Sequence, residues 1–211
     1  MRLLIATLVV ATSLIQVSFA NELVWQSYFP SIDCKINECG RTIPQGALNE
    51  VLEKASYYYA DEINNTIKQI FLVDMTQHSS KKRGYLVTIP SGKTEFYHVA
   101  HGRNSGDGNG NAIRFSNIND SKMSSLGLYR TAESYHGKHG YSLRLDGLEA
   151  SNSNARERFI VLHSASYMTE EFIQKYGRAG RSWGCPAIAP KNHIDFIDRL
   201  KDGNLLYIYY N

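Results

Sequence analysis

The chain has 211 residues, 43% of them hydrophobic, and carries 23 Lys and Arg against 20 Asp and Glu, a formal net charge of +3. This length suffices for one domain with a full hydrophobic core. The charges are too evenly balanced to indicate a nucleic-acid or membrane-surface partner.

The first twenty residues have the features of a secretory signal peptide. Arg2 provides a short charged region, the residues after it are largely apolar, and small residues stand at Ser18 and Ala20. We therefore expect a signal over 1–20, cleavage after Ala20, and a periplasmic or secreted protein with no membrane span after cleavage. An uncleaved anchor helix is the alternative, which the short and interrupted apolar run disfavours.

The hydrophobic periodicity predicts a helix near the N-terminus. Apolar residues recur at helical spacing from Ala47 to Ile63, which is typical of an amphipathic helix. We assign this helix to an N-terminal extension over 21–68 and a separate domain to 69–211.

The remainder of the chain is predicted to be mostly strands. Short apolar or alternating runs predict strands over 69–75, 84–90, 94–101, 126–133, 140–147, 158–164 and 204–210. A short helix is predicted over 168–177, with Thr169 as N-cap and Gly177 as its end, and another over 190–203, ending at Gly203. This order of elements indicates a β-rich α+β domain.

The segment 101–127 is rich in Gly, Asn, Ser and Asp and separates two groups of strands. This composition does not form a core element, so we predict one long loop. Loops of this length in compact domains are usually either functional or disordered, and the sequence leaves both alternatives open.

The chain has three cysteines, an odd number for an exported protein. Cys34 and Cys39 are close enough in sequence to close a small disulfide loop, which leaves Cys185 unpaired. A free thiol in an oxidising compartment is a liability unless it is buried or used. Cys185 lies in "RSWGCPAIAP", a turn interrupted by glycine and proline, and is either a nucleophile or a small buried residue.

A cysteine attacks as the thiolate, so it needs a base or a cation nearby. His163 ends a predicted strand, and a histidine there can meet a cysteine in the glycine-rich turn that follows. Arg178 and Arg181 would favour the thiolate. Gly184 would let the backbone approach a substrate carbonyl, and the amide of Cys185 would donate to an oxyanion.

A metal site is the alternative use of the same residues. It would draw on two H-x-x-H pairs together with the cysteine and the strand-end histidine: His98, His101, His136, His139, His163 and Cys185. Alternation along a strand does not place both rings of such a pair on one face. We therefore expect solvated or hydrogen-bonded histidines, with no metal and no other cofactor.

Several blocks of the sequence resemble one known family. "SWGCPA" with its upstream histidine resembles the Ser-x-Gly-Cys signature of the murein L,D-transpeptidase catalytic domain family, whose members cross-link bacterial cell walls. "VAHGRNSG", "SSLGLYRTAESYHGKHGYSLRLDGLE", "NARERFIVLHSASYMTEEFI" and "GRAGRSWGCPAIAP" are similar to the same family. The similarity extends over about residues 73–210, and four separated blocks are more specific than one short motif.

The resemblance implies an L,D-transpeptidase-like β-sandwich catalytic domain with small helices. It implies catalytic roles for Cys185 as nucleophile, His163 as base, Ser182 as signature serine and Gly184 as the neighbouring glycine. A backbone carbonyl generally orients the family's histidine, so no acidic partner is expected. The family signature has an arginine two residues after the cysteine, where this chain has Ala187, and Arg181 would supply that charge.

These features together predict an enzyme that acts on peptidoglycan stem peptides by L,D-transpeptidation, through a thioacyl-enzyme. With water as acceptor it would be an L,D-carboxypeptidase, and with an inert thiol it would be a non-catalytic cell-wall-binding protein. The candidates for binding the stem peptide are Arg181, Trp183, Tyr141, His139 and Arg144. Strand alternation would place His139 and Tyr141 on one face and Arg144 on the other. We expect a monomer.

Overall fold

The structure, a computed structural model, describes residues 45–59, 67–89 and 91–211. The expected signal over 1–20, and Cys34 and Cys39, lie outside these residues. The described residues form eight strands and three α-helices, which confirms the β-rich α+β class. The strands are β1 (Gln69–Asp74), β2 (Gly84–Thr88), β3 (Thr94–Tyr97), β4 (Gly127–Gly137), β5 (Gly140–Gly147), β6 (Val161–Ser164), β7 (Ala187–Ile188) and β8 (Leu205–Tyr209). The helices are α1 (Gln45–Tyr59), α2 (Glu170–Tyr176) and α3 (His193–Leu200).

The strands form one sheet whose two edges meet. The strand order is β3-β2-β1-β8-β4-β5-β6-β7, with β1–β8 and β6–β7 parallel and the remaining pairs antiparallel. A bulge between Thr131 and Ser134 interrupts the β4–β5 register, and bulges bend a strand. The amide of Ala100, just after β3, donates to the carbonyl of Ala187 in β7 at 2.9 Å. The sheet therefore curls round into a sandwich-like shape.

All six residues of β1 are buried, because each face of the strand packs into its own apolar cluster. On the inner face, Phe71 and Val73 join side chains from β5 and β6 and from helix α3. The Phe71 ring meets Phe196 of α3 edge-on at 4.8 Å between centroids. On the outer face, Ile70 and Leu72 pack against the apolar side of α1. Each such side chain, fully buried, contributes about 1.5–3 kcal/mol.

The local sequence signals for helix α2 are confirmed. The Thr169 side chain accepts a hydrogen bond from the amide of Phe172 at 3.3 Å, and Gly177 ends the helix with a φ of 67°. Helix α3 ends at Leu200, before the predicted Gly203, because the chain already turns there into β8: the amide of Gly203 donates to the carbonyl of Thr131 at 2.8 Å. None of the described helices is long and apolar enough to span a bilayer.

The segment 101–127 is a loop, as predicted, and part of it is buried. Before β4 begins, its regular elements are one short 3-10 turn over Arg103–Ser105 and two isolated bridges, Gly106 with Ala112 and Gly102 with Ser182. Ser105, Ala112 and Ser124 are almost completely buried. The loop therefore packs against the domain, and it does so beside the turn that carries the cysteine.

Candidate active site

The turn that carries the cysteine is closed by the side chain of Ser182. Its hydroxyl donates to the carbonyl of Cys185 at 2.6 Å and accepts from the amide of Gly184 at 3.1 Å. The backbone of Ser182 is paired in both directions with the long loop, through the carbonyl of His101 at 3.0 Å and the amide of Arg103 at 2.7 Å. Ser182 is thus buried behind the turn and fixes its shape, with its hydroxyl directed at backbone groups.

Gly184 allows this turn to pack against two other segments. Its φ of 128° is a conformation that side chains rarely adopt, and an added Cβ would lie 2.7 Å from the carbonyl oxygen of Met123 and 2.9 Å from Cδ1 of Ile160. The hydroxyl of Ser124 donates to the Gly184 carbonyl at 3.2 Å. The cysteine turn is therefore held between the long loop and the segment that leads into β6.

Cys185 is a free, half-buried cysteine that lies against this segment. Its Sγ accepts from the amide of Val161 at 3.5 Å and donates towards the carbonyl of Phe159 at 3.6 Å. Burial raises the pKa of the Cys185 thiol, while the Val161 amide and the charge of Arg158 act in the opposite direction. Since the net direction is upward, the resting thiol is predominantly protonated at neutral pH.

His163 lies on β6 beside the residues that follow the cysteine. It pairs with Ala187, and its amide donates to the carbonyl of Pro186 at 3.4 Å. Its ring Nδ1 donates to the carbonyl of Ser164 at 3.0 Å. Because Nδ1 carries the proton in this contact, the lone pair of the neutral ring is on Nε2. Burial lowers the pKa of His163, so the ring is suited to accept a proton at neutral pH.

The cysteine and the histidine share β6 as their common support, yet their side chains are not hydrogen-bonded to each other within the described part of the chain. The thiol lies at Val161, two residues before His163 on the same strand. Proton transfer requires the thiol and Nε2 of His163 to come within hydrogen-bonding distance. Catalytic hydrogen bonds are often long or unformed before substrate binds.

Of the predicted substrate-binding residues, His139 is in direct contact with His163. It occupies the turn between β4 and β5, and its exposed ring stacks on the ring of His163 with centroids 4.3 Å apart. Tyr141 instead donates its hydroxyl to Asp198 of helix α3 at 2.6 Å. The prediction that His139 and Tyr141 act on one face is wrong, because His139 is in a turn, where strand alternation does not apply.

Arg144 lies on the face of β5 that carries the histidine. Ser142 pairs with His163 across β5 and β6, and Arg144, two residues further, shares the face of Ser142. The Arg144 guanidinium is held by Glu133, with Nε 3.0 Å from the carboxylate, and lies over the ring of Tyr135 at 4.3 Å. Arg144 therefore shares a face with His163, whereas the sequence predicted it on the face opposite His139. Its guanidinium is already paired with Glu133.

The charge next to the thiol comes from Arg158, which the sequence analysis missed. Its Nη2 lies 3.4 Å from the position of a Gly184 Cβ, and its charge acts on Cys185. Arg181 is exposed, and its charge acts on His101 instead. Trp183 is 70% exposed, with the ammonium of Lys122 4.7 Å from its ring centroid. No local motif marks Arg158, because it is positioned by long-range contacts with the long loop and the cysteine turn.

The two H-x-x-H pairs do not converge on a metal site. Nε2 of His98 contacts Glu170 at 3.3 Å, and Nδ1 of His101 accepts from the guanidinium of Arg83 at 2.9 Å. No group of three or more His, Cys, Asp or Glu side chains arranged to hold a metal ion occurs among residues 45–59, 67–89 and 91–211.

A sequence profile of the L,D-transpeptidase catalytic domain matches residues 43–209 and so includes helix α1. No curated protein matches the chain. Solved structures of L,D-transpeptidases are similar at low identity. One from Mycobacterium smegmatis is 12% identical with a TM-score of 0.41, over 68% of this chain and 59% of that one. One from Mycobacterium tuberculosis is 12% identical with a TM-score of 0.42, over 68% and 58%.

One from Xylanimonas cellulosilytica is 12% identical with a TM-score of 0.39, over 79% of this chain and 70% of that one. The chain thus spans less than two thirds of the length of the two mycobacterial structures.

Proposed function

The chain belongs to the family of L,D-transpeptidase catalytic domains, and from this premise we propose that it is an exported cysteine acyltransferase acting on peptidoglycan stem peptides. The observation that carries the proposal is that a free thiol and an oriented histidine both lie at strand β6. Cys185 contacts Val161 on β6, and His163, two residues on, has its Nδ1 held by the Ser164 carbonyl.

In the first step, Cys185 attacks the carbonyl of an L,D-peptide bond in the stem. The raised pKa of the thiol and the lowered pKa of His163 favour a neutral thiol and a neutral imidazole at rest. His163 Nε2 therefore acts as a general base that takes the thiol proton during attack. The new bond is the thioester to Sγ, and the C–N bond to the terminal D-amino acid breaks as His163 returns the proton to the leaving amine.

The oxyanion of this step is assigned to the amide of Cys185. This amide faces the residue's own thiol, whose pKa it lowers, whereas the Gly184 amide already donates to the Ser182 hydroxyl. Backbone amides fixed in a tight turn stabilise a developing negative charge without reorganisation. Ser182 and Gly184 then contribute by holding the turn, and Arg158 adds a positive charge near the sulfur.

In the second step an acceptor releases the enzyme from the thioester. An amine of a second stem forms a new amide bond and returns the proton to the cysteine, which gives a cross-link. Water in the same place gives a free carboxylate, which is the L,D-carboxypeptidase outcome. We propose that two side chains contact the stem peptide: His139, whose exposed ring stacks on His163, and Arg144, which is paired with Glu133.

We propose that this chemistry takes place outside the cytoplasm, with residues 1–20 removed as a signal and the protein acting as a monomer. The catalytic parts come from 69–211, and α1 covers the outer face of the sheet.

The test is incubation of the protein with purified tetrapeptide-stem muropeptides and analysis of the products by mass, beside the Cys185→Ala variant. Cross-linked stems in the wild type alone identify a transpeptidase, and trimmed stems alone identify a carboxypeptidase. No product, together with a thiol that resists alkylation in the folded protein, would contradict the proposal and leave a cell-wall-binding protein.

A further inference from the structure

Phe159 combines two features that are unfavourable for a phenylalanine. Its φ is 54°, in the left-handed region where a bulky side chain is an outlier. Its side chain is 73% exposed. The residue therefore carries backbone strain and gains little from burial. Outliers of this kind persist where the surrounding structure requires them, and they cluster at functional sites.

The left-handed backbone at this position has an identifiable local effect. The amide of Phe159 donates to the carbonyl of Arg156 at 3.1 Å, and the amide of Ile160 donates to the carbonyl of Ala155 at 2.9 Å. The turn directs the carbonyl of Phe159 at Sγ of Cys185, 3.6 Å away. Glycine would adopt this conformation without strain. The backbone thus accounts for the turn but not for the aromatic ring.

A second exposed aromatic ring belongs to the turn that carries the thiol. Trp183, two residues before Cys185, is 70% exposed. The segments that carry Phe159 and Trp183 are in contact, because the Cβ position of Gly184 lies 2.9 Å from Ile160. Rigid aromatic side chains supply a large contact area at low conformational entropy cost and are enriched where partners bind.

We propose that the ring of Phe159 is a contact residue for the acyl donor, a peptide chain whose aliphatic groups pack on the ring while its carbonyl reaches Cys185. Trp183, exposed in the cysteine turn, is a second aromatic contact for the same donor. This inference rests on the proposed function, because the donor is the substrate assigned there. It explains why a strained and exposed phenylalanine stands beside the nucleophile: its favourable contacts form only in the complex.

The test compares Phe159→Gly with the wild type in kinetics on tetrapeptide-stem muropeptides and in thermal unfolding. Glycine keeps the left-handed turn and its carbonyl but removes the ring. We expect KM to rise about 5–10-fold with kcat within about twofold, as for loss of one buried apolar contact. We expect the melting temperature to rise, because the strain is relieved. Phe159→Tyr should restore the KM.

The matched control is Asp202→Gly, which removes another positive-φ side chain, at 61°, from the exposed turn before β8. It should also raise the melting temperature but leave KM unchanged. If the wild type is active and Phe159→Gly has the same KM, or loses only kcat, this inference is overturned and the proposed function stands. A wild type without turnover or thioester would overturn the proposed function and this inference with it.

Discussion

The imidazole ring of His139 stacks on that of His163, with centroids 4.3 Å apart and planes inclined by 21°. His139 is exposed at the tip of the β4–β5 hairpin, while His163 is buried beneath it. Burial is the main cause that lowers the pKa of His163, the carbonyl of Ser164 opposes it, and the charge of His139 lowers it further.

This stacking predicts a shift in the pH profile of the His139→Ala variant. The variant exposes His163 and removes the repulsion, and both changes raise the pKa of His163. A general base must be deprotonated, so the acid limb of kcat/KM should move to higher pH. Relative to the variant's own plateau near pH 8, kcat/KM should fall several-fold near pH 6, whatever the loss of the proposed stem-peptide contact does to the plateau. His136→Ala, whose ring packs on Tyr141 at 5.1 Å instead, is the control and should not move the limb. A limb unchanged in His139→Ala would contradict this role.

Arg158 carries the positive charge near the thiol and is hydrogen-bonded to the long loop. Its guanidinium donates to the carbonyl of Met123 at 2.6 Å and of Ser116 at 2.8 Å, and to the hydroxyl of Ser121 at 3.1 Å. Since its charge lowers the pKa of Cys185, Arg158→Gln should raise that pKa and slow alkylation by iodoacetamide near pH 8. The same change should cost about 2–4 kcal/mol of stability through lost charged hydrogen bonds.

Arg158→Lys separates the two effects, because it keeps the charge and loses the fork of hydrogen bonds. It should be destabilised similarly but alkylated faster than Arg158→Gln. Superimposable rate–pH curves for the wild type and Arg158→Gln would show that the guanidinium has no electrostatic role at the thiol.

Gly184→Ala should disrupt the nucleophile turn. The added methyl group meets the carbonyl of Met123 and the side chain of Ile160 at a φ of 128°. We expect a loss of about 3 kcal/mol or more in the free energy of unfolding. Gly108→Ala is the matched control, because its φ is 91° but nothing lies within 4 Å of the added Cβ. It should lose about 1 kcal/mol. Equal losses in chemical denaturation would exclude steric packing as the reason for Gly184.

Arg83 should stabilise the folded protein, because it holds the segment 99–101 that pairs with the cysteine turn. Its guanidinium is wholly buried, which lowers its pKa to about 9, and donates to the carbonyls of Val99 and Gln77 and to Nδ1 of His101. Lysine cannot reproduce this fork. Arg83→Lys should therefore lose about 2–4 kcal/mol in denaturant unfolding. The exposed Arg103→Lys should change stability by about 0.5 kcal/mol or less, and a comparable value for Arg83→Lys would contradict this view.

Elements with local signals could be predicted from the sequence. Thr169 and Gly177 bound helix α2 because their capping contacts lie within three or four residues. Cys185 and His163 were selected by their positions in a turn and at a strand end, and β6 and β7 bring their backbones together. The two-residue strand β7 was missed, because so short a run has no periodicity.

The remaining parts of the site depend on long-range packing that no local pattern records. Arg158 and Phe159 lie near Cys185 through contacts with the long loop and the cysteine turn. The long loop supports the turn through the pairing of His101 with Ser182, far apart in sequence. Arg181, adjacent to the turn in sequence, is directed to solvent, which shows that sequence proximity was a poor guide to the charge at the thiol.

The most direct measurement is intact-protein mass spectrometry during reaction with a tetrapeptide-stem muropeptide. We expect a covalent adduct on Cys185 with the mass of the donor minus its terminal D-amino acid, and no adduct in Cys185→Ala. In His163→Ala the adduct should form much more slowly while the protein remains folded. Turnover by Cys185→Ala, or products formed with an adduct on another residue, would show that Cys185 is not the nucleophile.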